Sequence, residues 1–206
     1  MSVVIAPTGV DYSEARQHEL RKTHMVMVDG NLTSNTQSVA GGTSARVFNK
    51  GYWGFASVPT MDDASAARVA KKAVENANTM YRFGEQPPFE MPAESHVGEH
   101  GYKGRPPLSQ KESVELVEGL NAHCKEKYPA LKSASFIMAQ EEHVKRFSTS
   151  NGSEGLSTIN RAAFYIMFAA EDKNGKPIEL MEMVTGRGNL ADLQLSLERL
   201  EPALDK

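Results

Sequence analysis

The string Arg46-Val-Phe-Asn-Lys-Gly-Tyr-Trp-Gly-Phe-Ala-Ser57 constrains this chain more than any other. Its β-branched and aromatic residues read as two strands, and Asn49-Lys50-Gly51 between them is a tight turn, because glycine accepts the positive φ that such a turn needs. Val58-Pro59-Thr60 follows, and then a helix. Thr60 is the expected N-cap, with Asp62 and Asp63 in the first turn, where the helix dipole favours negative charge. Ala66, Val69, Ala70, Ala73, Val74 and Ala77 form a stripe of helical period. Small residues on that stripe let a helix lie close against a sheet.

The same reasoning extends to both sides. From Tyr12 to Val28 the chain alternates, Met25 and Met27 on one side and Val26 and Val28 on the other, which predicts extended structure. Asp29-Gly30 is a second turn, and Gly41-Gly42 is expected to punctuate the chain before a strand over 43–48. Residues 84–107 carry Pro87, Pro88, Pro92, Pro106 and Pro107 among four glycines, which rules out a long helix or a central strand and predicts a linker or surface loop. Beyond it, Ser109-Gln-Lys-Glu112 is a capping box, and Val114, Val117, Leu120 and Cys124 continue one helix face that ends before Pro129. Strands are expected over 131–140, 142–149, 159–170 and 177–184, with turns at Asn151-Gly152 and Asn174-Gly175. Asn189 would cap a last helix running through Leu193, Leu197 and Leu200.

These elements predict an α+β fold of two units, each an antiparallel run of strands with a helix, a structural repeat being one reading of the shared plan. The expected division is 1–83, a linker over 84–107, and 108–206. With 206 residues there is length for a sizeable core. A net charge of −3 gives no electrostatic footprint for nucleic acid, and no run of about 18 apolar residues offers a membrane span. The opening segment lacks a basic n-region, and the lone cysteine cannot form an internal disulfide, so a cytoplasmic setting is expected.

His96-Val-Gly-Glu-His100 is the most suggestive chemical string. It matches H-x-x-E-H, in which two histidines bind zinc and the glutamate activates water. That chemistry needs a helix, where residues four apart share a face. Gly98 inside the motif and Pro92, Gly101, Gly104 and Pro106 around it predict a loop instead. A zinc hydrolase using His96, Glu99 and His100 is therefore the lesser reading. His18, His24, His123 and His143 show no ligand spacing. Cys124 reads as a buried inert thiol, and Gly186-Arg-Gly188-Asn189 lacks the third glycine and lysine of a phosphate loop. Trp53, Phe55 and Tyr52 read as packing, and the ten methionines as gap-fillers of the core.

Taken in order, Tyr12-Ser-Glu-Ala-Arg16, Val28-Asp-Gly-Asn-Leu32, the 46–57 hairpin with its alanine-rich helix, Phe147-Ser-Thr-Ser-Asn-Gly152 and Thr185-Gly-Arg-Gly188 resemble the amino-terminal and middle portions of the TldD/PmbA family. These are the modulators of DNA gyrase, now understood as zinc metallopeptidases. The resemblance implies a parent enzyme that cleaves unfolded or flexible peptides in a homo- or hetero-oligomeric, dimer-based assembly. Its active site is an H-E-x-x-x-H zinc motif completed by a cysteine in the carboxy-terminal portion. Here His18-Glu19 has Thr23 where the second histidine would stand, and Cys124 comes too early. No catalytic, cofactor-binding or metal residue is carried over. Zinc is expected in the full-length family member and no cofactor in this chain, which reads as a fragment or a shortened relative shaping a substrate chamber and dimer contacts. It also departs at the front, where a short segment replaces the family's leading helix. A stand-alone protein-interaction module is a further alternative.

Overall fold

The computed structural model describes residues 6–87, 89–91, 93–102 and 104–204; the first five residues, Pro88, Pro92, Lys103, Asp205 and Lys206, and the side chains of Leu197, Ala203 and Leu204, lie outside the described residues. The chain runs β1 (Tyr12–Val28), β2 (Asn31–Asn49), β3 (Tyr52–Val58), α1 (Asp63–Met80), β4 (Val97–Gly101), α2 (Gln110–Lys127), β5 (Ser133–Thr149), β6 (Glu154–Glu171), β7 (Pro177–Arg187) and α3 (Leu197–Leu204). The strands form one sheet in the order β3-β2-β1-β5-β6-β4, with β7 also pairing β6. The α+β class is borne out. β2 and β3 pair antiparallel with Ala45 opposite Ala56 and Val47 opposite Gly54, and β6 pairs β7 antiparallel with Phe164 opposite Val184.

The turns fall where the sequence puts them. Lys50 and Gly51 have φ of 50° and 82°, and Asp29 and Gly30 have 52° and 87°. Positive φ at both central residues is the conformation whose twist matches a hairpin. Four differences have physical causes. Gly41-Gly42 does not end a strand: β2 passes through it, and glycine is required there because a Cβ at Gly41 would stand 2.9 Å from the His18 carbonyl oxygen and one at Gly42 2.6 Å from that of Val58. Glycine here permits close passage rather than a break. The strands expected over 131–140 and 142–149 are one strand, β5. Asp62, not Thr60, caps α1, accepting from the Ser65 amide at 2.8 Å, while the Thr60 hydroxyl bonds the Ser65 side chain. Asn189 caps a short 3-10 turn, Leu190–Leu193, and α3 begins separately. The capping box at Ser109 and Glu112 forms as expected.

The long strands feed two compact units. The first comprises residues 1–20, 39–101 and 143–158, and the second 21–38, 102–142 and 159–206. Each is assembled from three stretches of chain, so neither coincides with the consecutive division 1–83, 84–107 and 108–206. In the first unit Ala45, Val47, Val69, Ala73 and Ala77 form the core between β2 and α1. In the second, Val117, Leu120 and Cys124 of α2 pack with Met25, Met27, Phe136, Met138, Phe164 and Ile166. Met181 and Met183 of β7 are 63% and 54% exposed, so these two are not core fillers.

Candidate functional site

Strand alternation in the first unit decides which side chains meet α1 and which face away. Thr43, Ala45 and Val47 of β2 are buried, as is Gly54 of β3, against the helix that carries Val69, Ala73 and Ala77. The intervening residues, Ser44, Arg46, Trp53, Phe55 and Ser57, lie on the opposite face. On β1 the same alternation buries Ser13, Ala15 and Gln17 and turns Arg16 and His18 outward. Gln17 donates its amide to the Met61 carbonyl at 3.1 Å, which fixes that side of β1 toward the approach to α1.

The open face holds a cavity of about 800 Å³. Arg16, Gln17, His18 and Leu20 line it from β1, Ala40 to Ser44 from β2, and Ser57 and Val58 from β3. Lys145, Arg146 and Phe147 of β5 and Ser157 of β6 complete the wall. Among the described residues three cations and a histidine line it, and no aspartate or glutamate does, although the chain as a whole carries a net −3.

Beside the cavity lies Glu14, its side chain 8% exposed, held by Arg46 at 2.9 Å and Arg16 at 3.3 Å. The Arg46 guanidinium sits 4.6 Å over the Trp53 ring, and Tyr12 meets the same ring edge-on at 6.1 Å. Trp53 therefore forms a cation–π stack with Arg46 in addition to packing. Tyr12 donates its hydroxyl to Glu14, and burial, then the Glu14 charge, raises the phenol's pKa. Two arginines against one carboxylate leave the local balance positive.

The structure also joins two residues that the sequence left apart. His18 Nε2 lies 3.0 Å from His143 Nδ1, with the rings stacked at 5.3 Å. Burial, followed by the charges of Lys145 and His143, lowers the His18 pKa. Nothing in the sequence marks this pair, because 125 positions separate its members and only the β1–β5 pairing brings them together. The pair does not fit the zinc that the resemblance implies. The two nitrogens bond each other, Lys145 adds positive charge, and among the described residues no three His, Cys, Asp or Glu side chains gather in a ligand cluster.

The remaining candidates disperse. His100 and Glu99 lie on β4, a short strand rather than the expected loop, parallel to β6, and His96 stands just before it. Along an extended chain, four residues span about 13 Å and Glu99 points away from the side of His96 and His100. These three residues do not converge on one ion. His96 instead lies 3.9 Å from Glu94, and His123 lies 3.5 Å from Glu201. Cys124 is buried and its thiol is pushed up to about 11 by desolvation, which makes it a poor nucleophile. At 186–189 the Asp192 carboxylate accepts the Asn189 and Arg105 amides, both at 2.8 Å, so those donors already have an anion of the chain's own.

Residues 13–77, which hold most of β1 to α1 and one wall of the cavity, match the family described as PmbA/TldA metallopeptidase domain 1. No curated protein matches the chain in sequence. Among solved structures, the chain is similar to a candidate modulator of a DNA gyrase from Thermotoga maritima, with a TM-score of 0.64, 16% identity, and 91% of this chain and 41% of that one covered. TldE from Thermococcus kodakarensis follows, with a TM-score of 0.61, 18% identity, and coverage of 96% and 44%. A candidate modulator of DNA gyrase from Bacteroides thetaiotaomicron gives a TM-score of 0.59, 14% identity, and coverage of 94% and 46%. The chain thus spans less than half the length of these structures, and at such identities they show the fold.

Proposed function

Through residues 13–77 this chain belongs to the TldD/PmbA family, and from that premise we propose that it is the non-catalytic, substrate-holding portion of a metallopeptidase of that type. The observation that carries this reading is the open cavity, walled partly by the domain 1 segment and wide enough at about 800 Å³ for a stretch of extended peptide. A sheet edge suits such a guest, since an extended peptide can add through its backbone to β3, the edge strand that lends Ser57 and Val58 to the cavity. The dispersal of His96, Glu99 and His100 along extended backbone adds to it, because hydrolysis needs donors that converge. Bond cleavage in this reading belongs to a zinc-bearing portion, and the chain shapes the chamber and contributes oligomer contacts in a cytoplasmic setting.

A peptidase assay tests the division of labour. The purified chain, given a flexible fluorogenic peptide, is expected to release no product above the buffer rate. Turnover that a chelator abolishes, in a sample free of contaminating peptidase, would falsify the reading.

A further inference from the structure

We infer that the cavity on the open face of the first unit selects extended peptides that carry carboxylates. The inference rests on the substrate-holding reading above and names the class of substrate. Charge is the first argument. A chain with a net charge of −3 nevertheless lines this cavity with Arg16, Lys145 and Arg146 and, among the described residues, no acid. Such an excess of one sign in a concave site attracts the opposite sign and repels its own.

The second argument concerns which cation is available. Arg16 already pairs with Glu14 at 3.3 Å, whereas Lys145 is exposed and has no carboxylate within salt-bridge distance among the described residues. His18 lines the same cavity and lies close enough to Lys145 to feel its charge, so a guest carboxylate at Lys145 would also lie near the His18 ring. The third argument is form. Ser44, Ser57 and Ser157 line the same cavity as small hydroxyl-bearing residues, leaving room along the strands for a backbone, while Phe147 at 40% exposure offers one apolar contact. Nucleic acid fits less well, since a polyanion of its charge density calls for a basic face larger than three cations on an acidic chain.

Fluorescence anisotropy decides the matter with three labelled peptides of equal length on a Gly/Ser frame, bearing glutamate, glutamine or lysine at the same positions, and a single-stranded DNA of equal length. The glutamate peptide is expected to bind about tenfold more tightly than the glutamine peptide, with affinity falling as salt rises. Lys145→Glu is expected to remove that preference with an unchanged melting temperature, while Lys72→Glu on α1 leaves it intact. Equal binding of the glutamate and glutamine peptides overturns the carboxylate preference and leaves the substrate-holding reading standing. Failure of all three peptides to bind overturns both, and tighter binding of the DNA overturns the peptide assignment.

Discussion

A methyl group at position 54 would stand 2.1 Å from the Ala73 carbonyl oxygen and 2.4 Å from the Ala77 amide nitrogen. Both contacts are helix backbone, which cannot turn aside as a side chain can, so α1 would have to lift from β3. Gly54→Ala is expected to cost at least about 2 kcal/mol in urea unfolding, whereas Gly98→Ala, with nothing within 4 Å, should stay within about 0.5 kcal/mol of the parent. Equal effects would contradict the packing described for α1. His18 gives a residue-scale prediction of a different kind. Its folded pKa lies below 6.5, so the unfolded chain binds the proton more readily and the pair's contribution to stability is lost as pH falls below 6.5. An NMR titration should place its midpoint below that of an unfolded peptide, and a midpoint above 6.5 would contradict it. Cys124, held up near 11, should react with a thiol reagent at pH 8 about a hundredfold more slowly than in urea. The inertness of that thiol was legible in its place on the apolar stripe of α2; the His18–His143 contact was not, because cross-strand register is absent from local pattern.

The helices show which local signals survive in three dimensions. Ser109 accepts from the Glu112 amide at 3.2 Å while Glu112 accepts from the Ser109 amide at 2.7 Å, the reciprocal arrangement that Ser-x-x-Glu predicts. Ser109→Ala should destabilise α2 by about 1 kcal/mol, read from the shift in the urea midpoint, and no shift would mean the cap is redundant. At α1 the competition between Thr60 and Asp62 was decided by tertiary contacts. Thr60 gives its carbonyl to Thr43 and its hydroxyl to Ser65, which leaves Asp62 to take the Ser65 amide. The strand elements were legible in kind and less so in length. β2 continues through Gly41-Gly42, where the close His18 and Val58 carbonyls leave no room for a Cβ, a crowding invisible in a list of propensities.

For the whole molecule, the metal question is the one most open to measurement. With His96 and His100 spread along extended backbone and His18 bonded to His143, the purified chain is expected to hold far less than one zinc per molecule. Its melting temperature should not move when a chelator is added. Stoichiometric zinc lost on His96→Ala would reverse that conclusion. The sequence by itself determined the α+β class, the hairpin turns, the capping box and the apolar faces of α1 and α2, because each depends on residues within a few positions of one another. It also carried the resemblance to a family whose model matches residues 13–77, through motifs in a fixed order. Only the tertiary structure decided that residues 1–20, 39–101 and 143–158 form one compact unit, and that Arg16, Lys145 and Ser157 line one cavity. The physical reason is the pairing of long strands, which fixes by register neighbours that local chain chemistry leaves undetermined.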